Sequence, residues 1–291
     1  MTPGLVSVYL PTHNRLPMLQ RAVESVLAQE AAAFELIVVD DGSSDGTLDW
    51  LEGRARGEPR LRILRHDQPQ GAPRARNRAI EEARGEWVTG LDDDDEFVPG
   101  RLAAFVAVAE LYRRLGIAFS ALYTQDEIIT GHSRRVSHKP ARIEFADLFP
   151  SNVIGNQVFV LRELIIDAGL YDPTMPAWHD LDLALRITHR HGPALLVDLP
   201  LYRYDDAERP DRISRHGKLR IVEACERLIA KWPDAPHEAR QQLYLQVLGR
   251  HYGFRIDAAD WLRYLRGGFR LRGLRTIWRR TLARRNRPSA R

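Results

Sequence analysis

Cysteine is almost missing. Cys225 stands alone among 291 residues, which excludes an intramolecular disulfide and any cysteine-based zinc cluster. No apolar run reaches the length of about 18 residues that a membrane-spanning helix needs. The opening stretch "MTPGLVSVYLPTHNR" has no basic segment and no small-residue cleavage site, so it reads as a first strand and not as a signal peptide. Together these absences predict a reducing, cytoplasmic setting. The common phosphate cradles are missing as well. No G-x-x-x-x-G-K-[ST] and no G-x-G-x-x-G occurs, so P-loop and dinucleotide-binding chemistry lack their motifs. What remains is an ordinary globular composition, 44% hydrophobic and 28% charged. The length suits one large domain, with or without a helical appendage.

Negative charge is missing from the end of the chain. Trp261 to Arg291 holds eleven of the 43 basic residues and none of the 39 acidic ones. The body is therefore mildly acidic and the tail strongly basic, which points to an anionic partner for the tail. Leu271, Leu274, Trp278 and Leu282 fall on one helical face, with Ile277 beside it and arginines around them. That pattern suits an interfacial helix on anionic lipid. The alternative is an apolar stripe packed on the body. Nucleic acid is not expected as a partner, because no recognised nucleic-acid module accompanies the charge.

Along the body, strand and helix patterns alternate. "LVSVYL" (5–10) and "FELIVVD" (34–40) are β-branched, apolar and short, the signature of buried strands. Leu16, Leu19, Val23, Val26 and Leu27 recur at helical spacing between them. A helix around Thr47–Arg56, a strand at 61–64, a helix over 71–85 and a strand at 86–91 follow. Pro99 can start the next helix, with Leu102, Phe105, Val106, Ala109 and Tyr112 on its apolar side. This alternation predicts an α/β fold with a mostly parallel sheet covered by helices on both faces. Ligands of such sheets bind beyond the carboxyl ends of the strands. Two acidic clusters, Asp40–Asp41 and Asp92–Asp95, lie there. Later, "IAFSALYTQDEIIT" and "NVIGNQVFVLR" read as strands, residues 178–192 as a helix, and "ALLVDLPLYRY" as a strand pair. From Lys218 the pattern is helical. The expected division is 1–217 for the α/β domain and 218–291 for a helical region with the basic tail.

"GLDDDDEF" places four carboxylates in a row after a buried strand. Hard divalent cations prefer such oxygens and leave positions open for phosphate. A solvated acidic turn, or caps for the helix near Pro99, is the simpler alternative. An EF-hand does not fit: with Asp92 as position 1, Phe97 and Ala103 stand where Gly and Glu are required.

The ordered set "VSVYLPTHNR", "ELIVVDDGSSDGT", "GAPRARNRAI", "GLDDDDEFVPGRL" and "WHDLDLALRI" resembles family 2 glycosyltransferases. The resemblance covers about residues 5–205. It implies the GT-A fold, inverting sugar transfer from a nucleotide sugar, most often a UDP-sugar, and Mn²⁺ or Mg²⁺ as cofactor. By the same resemblance, Pro11, Thr12, Asn14 and Arg15 belong to the loop that holds the nucleoside. Asp41 reads the base edge, and Gly71, Arg76 and Asn77 lie beside the nucleotide. Asp92 and Asp93 join the donor site and Asp94 binds the metal, with Asp93–Asp95 as an alternative register. Asp180 corresponds to the base that deprotonates the acceptor. His179 stands where the family usually has Glu, and a His beside Asp180 cannot raise its pKa as a second carboxylate would. Asp180 is therefore expected to stay ionised to lower pH than in Glu-Asp relatives. A helix N-cap is the structural alternative for Asp180. His189 and His191 read as helix-end residues favoured by the dipole. Arg212, Arg215 and His216 lie in a polar loop that either closes over the donor phosphates or is simply solvated.

The expectation is thus an inverting transferase that moves one sugar to a glycan or lipid-linked acceptor at the inner face of the cytoplasmic membrane, in surface polysaccharide or lipopolysaccharide assembly. A sugar-phosphate nucleotidyltransferase would want a Gly-rich, Lys-containing loop where "PTHNR" stands. A non-catalytic glycan- or lipid-binding module would not need Asp180 or the aspartate run.

Overall fold

The structure is a computed structural model that describes residues 1–30, 32–155, 158–206, 217–249, 252–266, 274–275 and 278. Contacts divide the chain into two compact units. The first comprises Met1–Phe145, Val153–Pro173 and His179–Glu208; the second comprises Ala146–Asn152, Thr174–Trp178 and Arg209–Arg291. The sequence boundary expected at 217 follows the chain alone, whereas contacts recruit two short earlier segments into the second unit.

In the first unit, β1 (Thr2–Thr12), β2 (Phe34–Asp40), β3 (Leu61–Arg65) and β4 (Gly85–Gly90) are parallel, in the spatial order β3-β2-β1-β4. The chain returns between them through α1 (Leu16–Leu27), α2 (Thr47–Ala55) and α3 (Ala72–Glu82). All seven residues of β2 are buried, as a continuous apolar run in a sheet covered on both faces requires. The buried positions of α1, namely Leu19, Ala22, Val23, Val26 and Leu27, follow the period read from the sequence. Strand order reverses at β1, so a crevice opens between the carboxyl ends of β1 and β4.

The remaining strands extend this sheet. They are β5 (Glu96–Phe97), β6 (Ala121–Thr130), β7 (Ser133–Val136), β8 (Arg142–Ile143), β9 (Phe159–Leu161) and β10 (Ala194–Asp205). β9 pairs antiparallel with β4, β6 runs parallel to β10, and β5 pairs antiparallel with the end of β10. α4 (Arg101–Leu115), α5 (Arg162–Asp167) and α6 (His179–His191) complete the unit. Trp87, Phe159 and Phe105 stack in sequence at 4.8 and 4.7 Å between ring centroids, tying β4, β9 and α4 into one core.

Three local expectations are corrected. "ALLVDLPLYRY" is not a strand pair but one strand whose register shifts on both sides of Pro200, because proline cannot donate to the ladder. Among its described residues, "NVIGNQVFVLR" yields the three-residue β9, followed directly by α5. α4 begins at Arg101 and not at Pro99, since Gly100 occupies the N-cap with φ 84.

The second unit contains α7 (Lys218–Lys231), α8 (His237–Val247) and α9 (Ala258–Arg266). The hydroxyl of Tyr244 donates to Asp260 Oδ1 at 2.7 Å, and Lys218 pairs with both Asp257 and the fully buried Asp260, which joins the three helices. No helix among the described residues is long and apolar enough to cross a membrane.

Candidate active site at the carboxyl ends of the first strands

The carboxyl end of β1 is prepared by backbone geometry. Thr12 lies opposite Asp40 in the β1–β2 register. Asn14 adopts φ 52, a left-handed conformation that asparagine tolerates. Its backbone N–H donates to Ser43 Oγ at 2.9 Å, and its side-chain oxygen accepts from the Ser44 N–H at 2.8 Å. Asp45 meets the starts of two helices at once, accepting the Leu16 N–H at 3.0 Å and the Thr47 N–H at 3.2 Å, with the Thr47 hydroxyl at 2.6 Å. The loops "PTHNR" and "DDGSSDG" are therefore one hydrogen-bonded assembly, with Pro11 at its root in β1.

Asp41 fastens a third loop to this assembly. Its Oδ1 accepts from His66 Nδ1 at 2.7 Å and from the Gln70 N–H at 2.8 Å, while its Oδ2 accepts from the Gly71 N–H at 2.7 Å. Burial works against its charge, but these donors prevail and hold its pKa below the usual carboxylate value. Gly42 allows the close approach: a Cβ there would stand 3.1 Å from Pro69, at φ +73. A carboxylate has about four acceptor positions, and these donors take three of them. Asp41→Ala leaves three donors without their acceptor in a buried place, at about 1–3 kcal/mol for an unsatisfied group. A lower urea midpoint is expected for this variant. The sign with pH follows from the lowered pKa. The contribution of Asp41 is complete above the ordinary value of about 3.9 and fades as pH falls through its folded value. Asp41→Asn should flatten that acid loss; an unchanged acid limb of the midpoint would remove Asp41 as the clip.

The four aspartates after β4 are not equivalent. The Asp95 N–H donates to the Asp92 carbonyl at 3.1 Å, closing a turn that brings its ends together. Asp92, Asp94 and Asp95 each bring one carboxylate oxygen within 4.8 Å of the other two. Asp93 instead faces β1: its Oδ2 accepts from the Thr12 hydroxyl at 2.8 Å and its Oδ1 from Arg15 Nη1 at 3.0 Å. Burial pushes the Asp93 pKa up to about 6, with Arg15 opposing and Asp94 adding to the rise. Arg15 also stands 3.7 Å from Asp94. Asp95 is buried and accepts from the Tyr202 hydroxyl at 2.7 Å and the Asp205 N–H at 3.1 Å. Burial and then the charges of Asp94 and Asp92 push its pKa well up. Three hard oxygen donors, crowded against their own repulsion, suit a divalent cation, which would relieve that repulsion.

Behind Tyr202 sits Arg101, fully buried with its guanidinium over the rings of Phe97, Phe105 and Tyr202 at 4.6–5.0 Å. The carboxylate cluster thus rests on packed aromatic residues of β5, α4 and β10.

Arg76 joins the cluster to α6. It is buried on α3, donates from Nη2 to Asp92 Oδ1 at 2.7 Å, and lies 3.6 Å from Asp180 Oδ1 through Nη1. Its guanidinium also covers the Tyr171 ring at 5.2 Å, and the Tyr171 hydroxyl shares a 2.8 Å hydrogen bond with Tyr9. Burial keeps both tyrosines protonated, pushing their pKa values up. Asp180 occupies the first turn of α6, where the helix dipole favours an anion. Its Oδ1 is buried and accepts no hydrogen bond among the described residues. Burial lifts the Asp180 pKa to about 6, with Arg76 pulling it down and Asp92 pushing it up. The residues of "LDLALR" have a different task. Asp182 is buried and pairs with Arg186 at 2.8 Å, and Arg186 also donates to the Leu170 carbonyl at 2.6 Å, which fixes the helix start.

Thr12, Arg15, Arg76, Asp92–Asp95 and Asp180 are therefore linked by direct contacts. Asn77 is not turned to them: its amide exchanges two 2.8 Å hydrogen bonds with the backbone of Tyr171. Gly71 acts through its N–H on Asp41. His179 is half-buried at the start of α6. Arg212, Arg215 and His216 lie outside the described residues. Sequence reasoning missed Tyr9, His66, Tyr171 and Tyr202. They reach the site from four separate segments, and no local motif marks them.

Comparison with known proteins matches residues 7–162 to the model of the family described as glycosyl transferase family 2. WcaA of Escherichia coli K12, assigned by name to colanic acid biosynthesis as a glycosyl transferase, is 34% identical over 226 residues, spanning 75% of this chain and 75% of its own. Among solved structures, TarS of S. aureus in complex with UDP-GlcNAc aligns with a TM-score of 0.66 at 17% identity, over 90% of this chain and 79% of that one. The mannosyltransferase PcManGT from Pyrobaculum calidifontis, in complex with GDP-Man and Mn²⁺, aligns with a TM-score of 0.62 at 16% identity, over 97% of this chain and 81% of that one.

Proposed function

Because the chain belongs to glycosyl transferase family 2 and has the mixed, mostly parallel sheet of GT-A transferases, we propose that it is an inverting enzyme that moves one sugar from a UDP-sugar to a hydroxyl group. The acceptor in this reading is a glycan or a lipid-linked saccharide of bacterial surface polysaccharide assembly, lipopolysaccharide among them. One observation carries it: the carboxylates after β4 and the carboxylate at the start of α6 are joined through a single buried arginine, Arg76.

The roles follow from what each group can do. Asp180 takes the acceptor proton, since its Oδ1 has no hydrogen bond to give up and a weak hydroxyl nucleophile needs a base. Asp92 and Asp94 form the metal pair, with Asp95 closing the cluster. These carboxylates would hold a divalent cation, Mn²⁺ or Mg²⁺, whose positive charge would favour departure of the diphosphate. Thr12 and Arg15 hold Asp93 against β1, so that Asp94 remains turned to the other two. Pro11, Thr12, Asn14, Arg15, Asp41 and Gly71 shape the nucleoside side. Asn77 contributes by setting Tyr171. The C-terminal basic segment would meet an anionic membrane surface at the inner face of the cytoplasmic membrane, where lipid-linked acceptors reside. Support for that comes from charge and from Trp278, which is 59% exposed.

A panel of nucleotide sugars tests the donor class. Slow hydrolysis of a UDP-sugar, stimulated by Mn²⁺ and suppressed by chelation, is the expected result. Turnover of GDP-mannose alone would replace the nucleotide assignment. Release of pyrophosphate from UTP and a sugar phosphate would instead make the chain a nucleotidyltransferase.

A further inference from the structure

The second unit has a partly open cavity of about 260 Å³ lined by residues of α7, α8 and α9. Its charge is one-sided. Arg240 from α8 and Arg263 and Arg266 from α9 line it, with His237, against the single acid Glu226. Arg263 is the best matched of them, paired with Glu226 at 3.7 Å and Asp260 at 3.9 Å and hydrogen-bonded to Tyr244. Arg240 donates from Nη2 to the Pro233 carbonyl, while its Nε is buried and has no hydrogen-bond partner among the described residues. Buried guanidinium N–H groups normally find acceptors, and a phosphate supplies several at once.

The outer face of the same helix is apolar. Leu262 is 62% exposed and Leu265 39% exposed, one turn apart on α9. Arg266 lies four positions after Leu262, so helical spacing sets it beside the apolar pair. A free phosphate would have no use for that pair. A phospholipid would use both features, its headgroup phosphate among the arginines and its chains against the leucines. The cavity is too small for an acyl chain, which leaves the chains to the helix exterior.

We infer that the cavity between α7, α8 and α9 binds the headgroup phosphate of an anionic phospholipid, with Leu262 and Leu265 inserted beside it. The inference rests on the membrane reading proposed above for the C-terminal segment. It adds a defined site to what would otherwise be diffuse attraction of arginines to a charged surface.

Sedimentation of the full chain with vesicles tests it, using roughly three parts phosphatidylcholine to one part phosphatidylglycerol. Arg240→Gln with Arg266→Gln should bind about 10–30-fold more weakly than wild type. Arg284→Gln with Arg285→Gln removes the same charge from the tail and should lose clearly less. Leu262→Gln with Leu265→Gln should weaken binding without touching charge, and Arg240→Lys should retain most of it. Hydrolysis of the soluble donor should be unaltered in all of them, which also reports an intact fold. Dihexanoylphosphatidylglycerol should compete with the vesicles, and inorganic phosphate at equal concentration should not. Equal losses in the two arginine pairs would overturn the cavity and leave the membrane reading standing. Equal competition by phosphate would overturn the lipid assignment. Absence of vesicle binding by wild type would overturn both.

Discussion

Asp180→Asn is expected to lower kcat by about 10²–10⁴-fold, the usual contribution of a positioned base, with little change in UDP affinity. The asparagine keeps the shape and the helix position but cannot take a proton. Donor affinity is spared because, among the described residues, Asp180 reaches the aspartate cluster through Arg76. The pH profile carries a second test. Burial lifts the Asp180 pKa to about 6, Asp92 adds to the rise and Arg76 opposes it. The base works only when ionised, so kcat/KM should fall as pH drops through about 6. The expectation that Asp180 stays ionised to lower pH than in Glu-Asp relatives is a comparison with those relatives, made from the level that burial sets. His179→Glu should still move the acid limb upward by adding a like charge. Near-normal turnover of Asp180→Asn with a true acceptor would remove Asp180 as the base. An unmoved limb in His179→Glu would remove only the coupling to its neighbour.

Asp94→Ala is expected to weaken Mn²⁺-dependent UDP binding by an amount on the order of 10²-fold, at the upper end of what loss of a supporting residue costs a metal site. Asp94 is partly exposed and shares the cluster with Asp92 and Asp95, so its removal deletes a donor without opening the core. Asp93→Ala differs in kind. Asp93 is buried and held by Thr12 and Arg15, so its loss should lower thermal stability and affect UDP binding less. Calorimetry with UDP, with and without Mn²⁺, separates the two variants. Unchanged metal-dependent affinity in Asp94→Ala would discard the Asp92–Asp94 register. A larger loss in Asp93→Ala would favour Asp93–Asp95.

The parts of the fold that depend on local pattern were legible from the chain. β2 has the bounds of its apolar run, 34–40, and α1 buries the residues that recur at helical spacing. Late strands were less so. β10 absorbs Pro200 through register shifts with β6, an accommodation that requires a partner strand. β9 keeps three residues of a longer apolar stretch because its pairing with β4 ends there.

The sequence by itself determined the alternation of strands and helices, the placing of acidic turns at strand ends, and the family motifs, since these depend on spacing along one chain. Only the tertiary structure decided which aspartate faces which partner. An unbroken run of four identical residues has no internal mark of register; the turn after β4 and the neighbours Thr12, Arg15 and Tyr202 impose it. The structure likewise decided that Arg76 lies between Asp92 and Asp180, and that Asn77 serves the backbone of Tyr171. Such contacts join residues about 16 to 100 positions apart, and packing, not local preference, brings them together.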